Sequence, residues 1–524
     1  MAQMRSERHW LPSIPALVFA GTLAFVTLVF QEPLLNSDGD LARHLRHGEY
    51  MLQHHALIRA DPFSYTMAGK PFVAYEYGSQ LVLALAHRVG GLAGVTVLAG
   101  LLIAAAYALV ARYMLRRGVD PALACGVVFA AAIVSVGHWL ARPHLVTLAA
   151  VPILLELLSP LGKARLWPFP VLFAIWANLH AGFLYGLIVI GIFLVAAGLT
   201  VIRTPVAADR FASVRFYGAA FGLAAIATLL TPNGFGLHRQ MFATVGNAYV
   251  MNHTSEFASP DFHDALTKLF LWVMLAAIAA AMLSRRRVST LAALVTLAGI
   301  DLALVFQRNT PFFALTALPL LAVELDPAWR ALGLLGRLRS ALETGSRGAS
   351  TAAWTALAAG SAVAVGSLHG RVGSHQIIGD AFSQDRLPVR AVAQAREAGI
   401  SGRLFSDFTF GGYVLYAWPE QKVFIDGGTD FYGSGLMRDY AAIRGMRPGW
   451  RDLMRRWDLS VLLVRPAAPV AAELAHDGGW AYWYCDKQAV ILLRADAARA
   501  APAPASRPDP DHCVPPAATE EPAS

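Results

Sequence analysis

Charged residues are scarce in this sequence: Asp, Glu, Lys and Arg make up 15% of its 524 residues, against about 25% in soluble globular proteins. Cysteine is scarcer still, with only Cys125, Cys485 and Cys513, which excludes a disulfide framework. Apolar residues make up 56% of the chain, so an intrinsically disordered protein is excluded as well. Because the apolar residues lie in long unbroken runs, the composition predicts a polytopic α-helical membrane protein.

Eleven apolar runs are long enough, or nearly long enough, to cross a bilayer, which takes about 20 residues. They cover residues 11–30, 91–115, 119–138, 144–160, 168–180, 183–202, 214–231, 266–283, 289–306, 310–325 and 352–367. The first run is followed by Gln31-Glu32-Pro33, without a small-residue cleavage site. We therefore predict a retained helix there and not a cleaved signal peptide.

Lysine and arginine predict the orientation, because they accumulate in short loops on the cytoplasmic side. With the N-terminus inside, the cytoplasmic segments hold 17 Lys and Arg residues, including the triplet Arg285–Arg287. The opposite orientation would place that triplet outside. The sequence therefore predicts an inside N-terminus and an outside C-terminus. The net charge of +8 reflects this topology, so no nucleic-acid partner is expected.

The predicted transmembrane domain covers residues 1–368 and carries two long outer loops, at 31–75 and 232–265. Residues 75–88 are apolar but too short to span, which predicts an interfacial helix that leads into the next span. The remainder of the chain is less apolar, and we predict a boundary at residue 496 between a folded domain and a tail.

Residues 370–496 have an ordinary composition and are predicted to form a small extracytoplasmic α/β domain. Its predicted β-rich runs are 422–426, 459–464 and 489–494, and its helical patches are 388–398 and 436–445. The Pro/Ala-rich segment 497–524 is predicted to be a disordered tail. Cys485 and Cys513 could form a disulfide if both lie outside the cytoplasm.

Polar residues of unusual kinds converge on the outer end of this topology, although the topology rests on Lys and Arg alone. They are Asp40, His44 and Glu76 in or just after the first outer loop, and Arg142, His144, His180 and Arg308 at the outer ends of later spans. Charges at membrane depth are costly and usually mark a functional site. We therefore predict an extracytoplasmic cavity with an acidic wall and a wall of Arg and His.

The residue types in this cavity suggest a chemistry. A carboxylate can orient or deprotonate an acceptor hydroxyl, either as a general base or through a divalent metal ion. Arginine and histidine can hold a phosphate leaving group through charge-assisted hydrogen bonds. With a hydrophobic groove for a lipid tail, these groups fit transfer from a lipid-phosphate donor on the outer face.

Several of these residues also have a purely structural interpretation. Asp40 could cap the helix that begins near Leu41, and Arg142 or Arg308 could simply extend to the membrane interface. His180 could be a satisfied interfacial histidine. Asp426, at the end of a β-rich run, could bind a ligand or could belong to a turn.

The run from Gly39 to Arg88, GDLARHLRHGEYMLQHHALIRADPFSYTMAGKPFVAYEYGSQLVLALAHR, resembles the first outer loop of a bacterial family of multi-pass membrane proteins. That family is assigned to the GT-C type of glycosyltransferase, which uses polyprenyl-phosphate-linked sugars. The motifs ARPHL, TPNGFGL, SPDFH, QRNTPFFAL and GGYVLYAWPEQKVFIDGGTDFYG also resemble the family's patterns, and the resemblance covers most of residues 1–495.

The resemblance implies a catalytic carboxylate in the loop after the first span, and Asp40 is the residue that best matches it. We expect His44 and Glu76 to support Asp40. Four residues are then expected to hold the donor phosphate: Arg142, His144, Arg308 and His180.

The chain departs from the family pattern at two places. Tyr75-Glu76-Tyr77 stands where relatives often read HEW, and Asp426-Gly427-Gly428 stands where they often read DGR. The second change removes an arginine that could have served as a ligand, which puts a role of the C-terminal domain in donor binding in doubt.

Together these features predict a glycosyltransferase of the bacterial inner membrane. It would transfer a sugar from a polyprenyl-phosphate donor to an envelope glycan, lipid or protein acceptor on the extracytoplasmic face. The alternative is a non-catalytic transporter or an assembly partner for envelope polysaccharide. A transporter would place its polar groups near the bilayer midplane. A divalent metal is a possible cofactor, but the sequence assigns it no ligands.

Overall fold

The computed structural model describes residues 11–37, 39–203, 211–284, 287–333 and 351–504. These residues form a mostly helical multi-pass fold with a small sheet region near the C-terminus. Before residue 370 the helices are α1 (Ile14–Leu28), α2 (Gln31–Asn36), α3 (Asp40–His54), α4 (Tyr77–Arg116), α5 (Pro121–Ser135), α6 (His144–Leu158), α7 (Pro168–Leu179), α8 (Phe183–Arg203), α9 (Ala212–Ala227), α10 (Phe235–Val245), α11 (Ala248–His253), α12 (Ala265–Leu283), α13 (Thr290–Val305), α14 (Thr310–Ala331) and α15 (Ala352–Ser367).

Each of the predicted apolar runs falls on an apolar helix. Within the described residues, 5 helical segments are long and apolar enough to cross a membrane: Tyr77–Arg116, Pro121–His138, Phe183–Arg203, Ala265–Leu283 and Gln307–Ala331. The other six runs coincide with shorter apolar helices, namely α1, α6, α7, α9, α13 and α15.

Cap residues in the sequence explain where several of these helices begin. The Asp120 carboxylate accepts hydrogen bonds from the backbone of Ala122 and Leu123 at the start of α5. Ser289 caps α13 in the same way through the backbone of Ala292. Such side chains satisfy N–H groups that have no partner within the helix.

A kink at Gly90 and Gly91 divides α4 into two parts. Gly91 has a positive φ of 59°, which favours glycine, and a Cβ there would overlap the Asp380 carboxylate. Asp380 Oδ1 accepts a hydrogen bond from the backbone of Ala93, 3.2 Å away. The kink therefore lies between the interfacial helix predicted at 75–88 and the span predicted at 91–115.

The first outer loop is largely helical, since α2 and α3 lie within residues 31–75. Gly48 lets α3 pack closely on α4, because a Cβ there would overlap the carbonyl oxygen of Gln80. The second outer loop, 232–265, likewise holds α10 and α11. The close packing of α3 on α4 brings His44 next to Gln80.

The C-terminal region combines one mixed sheet with surrounding helices. Its strands are β1 (Arg371–Val372), β2 (His375–Gln376), β3 (Leu404–Ser406), β4 (Val461–Val464), β5 (Trp480–Cys485) and β6 (Val490–Arg494), and its helices are α16 (Val389–Glu397), α17 (Phe408–Ala417), α18 (Thr429–Arg444), α19 (Trp450–Arg456), α20 (Pro469–His476) and α21 (Ala495–Ala500). The strand order is β3-β4-β6-β5, with β3 and β4 parallel and the other neighbouring strands antiparallel. β1 and β2 form a separate hairpin.

Two of the three predicted β-rich runs are strands, β4 and β6, and both predicted helical patches are helices, α16 and α18. The run 422–426 was wrongly predicted as a strand, because it pairs only at Val423, which bridges Leu404 on one side and Ser64 on the other. The first outer loop thus occupies this edge of the sheet. Nearby, Thr66 Oγ1 donates to the carbonyl oxygen of Phe424 at 2.6 Å.

The end of the chain differs slightly from the predicted boundary at residue 496. Helix α21 crosses this boundary and continues to Ala500. Residues 505–524, with Cys513, lie outside the described residues, as do most of the predicted tail and the pairing considered for Cys485.

Candidate active site

Asp40 is the first residue of α3, and Gly39 occupies the N-cap position. Asp40 does not serve as the N-cap itself. A Cβ at Gly39 would overlap the carbonyl oxygen of Thr409 at the start of α17, and a Cβ at Gly427 would overlap Asp40 Oδ1. The two glycines therefore allow the Asp40 carboxylate to pack directly against backbone of the C-terminal region.

Arg142 connects Asp40 to Glu256, which lies in the second outer loop. Its Nη2 donates to Asp40 Oδ2, and its Nη1 donates to Glu256 Oε1. The other Glu256 oxygen, Oε2, lies 4.0 Å from Arg308 Nη1. Glu256 and Arg308 lie in two short 3₁₀ turns, which are joined by a 2.9 Å hydrogen bond from the backbone of Gln307 to Ala258.

On its other side Asp40 pairs with Arg43, one helical turn later. Arg43 Nε lies 3.6 Å from Asp40 Oδ1 and 3.9 Å from Asp426 Oδ1. Asp426 also accepts hydrogen bonds from the backbone of Gly428 and from the Tyr432 hydroxyl, at 2.8 and 2.9 Å. Acidic and basic side chains therefore alternate in what we call the charge chain: Arg308, Glu256, Arg142, Asp40, Arg43 and Asp426.

Pairing offsets the burial of two members of the charge chain, Arg43 and Glu256. Burial alone lowers the pKa of Arg43, but Asp40 and Asp426 raise that pKa above its usual value. Burial alone raises the pKa of Glu256, but Arg142 and Arg308 hold it well below its usual range. A charge in such a place is tolerated only because an opposite charge faces it.

Glu76 lies between two histidines beside the charge chain. His44 Nε2 is 3.9 Å from Glu76 Oε2, and His180 Nε2 is 3.7 Å from Glu76 Oε1. Burial holds the pKa of His44 well below the usual value, and the nearby Arg43 lowers it further. His44 is therefore neutral at pH 7.

The protonation of Glu76 changes near neutral pH. Burial raises the pKa of Glu76 to about 7, and this effect outweighs the nearby positive charge of Arg43. A carboxyl group with such a pKa can exchange a proton at physiological pH.

The hydrogen bonds of His180 fix which ring nitrogen carries the proton. Nδ1 accepts from the backbone N–H of Gly182 at 3.0 Å, so this nitrogen is unprotonated. It also lies 2.7 Å from Thr147 Oγ1, which accepts from Trp176 Nε1 at 2.8 Å. The neutral ring consequently carries its proton on Nε2, the nitrogen that faces Glu76.

His144 is placed next to His180, with 6.5 Å between their ring centres. Its Nε2 donates to the carbonyl oxygen of His138 at 2.7 Å, so only Nδ1 remains as an acceptor. Arg308 lies over the ring of Phe257, 4.9 Å from the centroid. Both side chains border the exposed end of the charge chain.

A cavity of about 300 Å³ adjoins Glu76. The first outer loop and the start of α4 form one wall, and the C-terminal region contributes the other. Its polar lining includes Arg43, Glu76, Gln80 and Asp430. Among the residues that the structure describes, no three His, Cys, Asp or Glu side chains are placed to hold a metal ion.

The overall fold matches solved structures of membrane glycosyltransferases. The oligosaccharyltransferase of Archaeoglobus fulgidus in its apo form has a TM-score of 0.55 and 13% sequence identity, over 92% of this chain and 74% of that chain. AglB from the same organism, in complex with an inhibitory peptide and a dolichol-phosphate, has a TM-score of 0.55 and 13% identity, over 91% and 73%. The chain has a GT-C fold.

ArnT from Cupriavidus metallidurans, bound to undecaprenyl phosphate, matches with a TM-score of 0.49 and 13% identity, over 91% of this chain and 97% of that chain. No protein family model matches the sequence, and no curated protein matches it. The two Archaeoglobus fulgidus structures confirm the resemblance to the GT-C type at the level of the fold.

The GT-C fold brings the seven predicted site residues to one end of the helix bundle. Three belong to the charge chain: Asp40, Arg142 and Arg308. The other four are Glu76, the two histidines beside it, His44 and His180, and His144 next to His180. The sequence prediction did not include Arg43 or Glu256 in the site. The sequence does indicate a place for Arg43 in the site, because Asp40 and Arg43 are three residues apart and therefore share a helix face. The pairing of Glu256, in contrast, depends on tertiary packing.

The raised pKa of Glu76 predicts a pH-dependent stability. The pKa is about 7 in the folded chain and about 4.3 in an unfolded one. The contribution of protonated Glu76 to the free energy of unfolding is therefore fully present below about pH 4.3 and is lost as pH rises towards 7. We expect Glu76→Gln, which cannot ionise, to gain up to about 3–4 kcal/mol relative to wild type over this interval. Thermal unfolding of the purified protein between pH 5 and 8 measures this difference.

The matched control is Glu49→Gln on the exposed side of α3. The pKa of Glu49 is lowered by its hydrogen bond with Arg88, so it stays charged from pH 5 to 8 and its difference from wild type should be constant. If the Glu76→Gln and wild-type curves run parallel, Glu76 does not titrate in this range.

Proposed function

We propose that this protein is a glycosyltransferase of the bacterial inner membrane, which transfers a sugar from a polyprenyl-phosphate donor to an envelope glycan, lipid or protein acceptor on the extracytoplasmic face. One observation carries the proposal. The carboxylate of Asp40, in the loop after the first apolar helix of a GT-C fold, lies between Arg142 and Arg43. Arg43 also lines the cavity of about 300 Å³.

In this proposal Asp40 is the general base. The acceptor hydroxyl gives its proton to Asp40 as its oxygen attacks the anomeric carbon of the donor sugar. The bond from that carbon to the phosphate oxygen breaks, and the electron pair leaves with the polyprenyl phosphate. The phosphate gains one negative charge, which Arg142 and Arg308 offset.

Arg142 has a second role in this sequence of events. Its two terminal nitrogens donate to Asp40 and Glu256, so Arg142 occupies one of the two carboxylate oxygens of Asp40. A donor phosphate can compete for the same nitrogens. Binding of the donor would then release Asp40 to act on the acceptor, which links the order of binding to the chemistry.

The neutral histidines complete the proposed donor site. The tautomer of His180 presents an N–H from Nε2, which can donate to a phosphate oxygen or to Glu76, and His144 lies beside it. Glu76, with a pKa of about 7, would support Asp40 by taking up the released proton, and His44, beside Glu76, would position it. The polar groups gather at one end of the bundle, which favours an enzyme over the alternative of a transporter.

Replacement of Asp40 by Asn tests the proposed base, since it keeps the shape and removes the proton acceptor. We expect loss of at least about a hundredfold in glycan modification, because a positioned general base contributes about 10²–10⁴-fold. Mass spectrometry of envelope glycans, in a strain whose only copy is the variant at normal protein level, measures the loss. Glu32→Gln is the control, since this exposed carboxylate pairs with Arg386 away from the site. Unchanged modification with Asp40→Asn would contradict the assignment.

The proposal also includes an orientation, with about eleven spans, the N-terminus inside and the C-terminus outside. Single cysteines at the exposed positions Ala56 and Ser401, in a chain without its native cysteines, should react with an impermeant maleimide added to intact spheroplasts. A cysteine at the exposed Ala164 should react only after lysis. Protection of both Ala56→Cys and Ser401→Cys would place the site on the cytoplasmic face and overturn the proposed direction of transfer.

A further inference from the structure

A second cavity, of about 1030 Å³, lies at the opposite end of the bundle from the charge chain. Its walls are formed by the starts of α1, α5 and α15 and by the last turns of α4 and α14. None of the residues discussed for glycosyl transfer lines it. The proposed transferase activity therefore leaves this cavity unexplained.

The charged residues that line the cavity are all basic: Arg112, Arg116 and Arg330. Arg112 is exposed and has no hydrogen-bond or ion-pair partner among the described residues. Arg116 has only a distant carboxylate, with Nη1 3.8 Å from Glu156 Oε1. Arg330 is already paired, since its Nε donates to Asp326 Oδ2 at 2.6 Å. Arg112 and Arg116 are thus the cations available to an anion in the cavity.

Three helix N-termini meet at the same cavity. Ser13 is the N-cap of α1, Thr351 precedes α15, and Pro121 begins α5; all three residues line the cavity. A hydrogen bond of 2.7 Å between Ser13 Oγ and Thr351 Oγ1 holds two of these helix ends together. At α1 and α15 the N-terminus carries about half a positive charge, which adds to the field of the arginines, whereas at α5 the Asp120 carboxylate already caps the helix.

The remaining walls are apolar, with Ile14, Leu115, Val119 and Ala359 among the lining residues. A free anion would gain nothing from these walls, whereas an acyl chain would. The arginines lie at the ends of apolar helices, where lipid headgroups are located. Basic pockets between transmembrane helices are known to bind anionic headgroups.

We propose that this cavity binds an anionic bilayer phospholipid, with its phosphate at Arg112 and Arg116 and the start of an acyl chain against the apolar wall. The N-termini of α1 and α15 stabilise the phosphate electrostatically. The site is independent of the proposed glycosyl transfer, because it shares no residue with it.

Native mass spectrometry of the delipidated full-length protein tests the site, with phosphatidylglycerol as the probe. We expect one tightly bound lipid, and binding about thirtyfold weaker in Arg112→Gln/Arg116→Gln, from about fivefold for each lost charge. The control is Lys163→Gln/Arg165→Gln, which removes two exposed charges outside the cavity and should change binding less than about twofold. Ala356→Phe fills the cavity without changing charge and should also weaken binding.

Three further probes identify the ligand. Phosphatidylcholine should bind far more weakly, because it has no net charge. Displacement of the lipid by inorganic phosphate alone would show a site for free phosphate, and tighter binding of undecaprenyl phosphate would show a site for the carrier lipid. Either result, or equal losses in the two double variants, would overturn the proposal.

Discussion

The end of the helix bundle that holds the candidate site depends on the burial of alternating charges. Removing a carboxylate or a guanidinium group from water costs several kcal/mol per ion, which is offset only where an opposite charge is well placed. Asp40 meets this requirement for two arginines at once, because Arg142 and Arg43 each contact one of its oxygens. The position of this one carboxylate therefore links the end of α5 and α6, the first outer loop and the C-terminal region.

Close backbone packing makes this arrangement possible. A Cβ at Gly412 of α17 would overlap the carbonyl oxygen of Gly39, and a Cβ at Gly427 would overlap Asp40 itself. The C-terminal region thus does more than cover the membrane domain, since it supplies Asp426 to Arg43 and excludes water from one side of Asp40. Because the Asp426 side chain is only 6% exposed, its pairing with Arg43 offsets part of the cost of its burial.

Local sequence patterns predicted the helices and the residues that converge, but not the pairs that these residues form. An apolar run predicts a membrane helix from its own composition, without information about the residues that it contacts. The basic loops predict the orientation in the same local way. One partner of Arg142 is Glu256, 114 residues further along the chain, and only tertiary packing brings the two side chains together. Val423 shows the same limit. The β-rich pattern predicts a strand at 422–426, but this run pairs only at Val423, where Ser64 of the first outer loop lies beside it.

The departure at Gly428 has a physical explanation in the charge chain. The family that this sequence resembles often reads DGR, whereas this chain has glycine at 428, and a Cβ there would lie 3.6 Å from Arg43 Nη1 and 3.2 Å from Asp426 Oδ1. An arginine at 428 would begin beside an existing guanidinium group and compete with it for the same carboxylate. Arg43 already supplies the positive charge that faces Asp426, so the loss of an arginine at 428 leaves this carboxylate paired and keeps the wall of the cavity open.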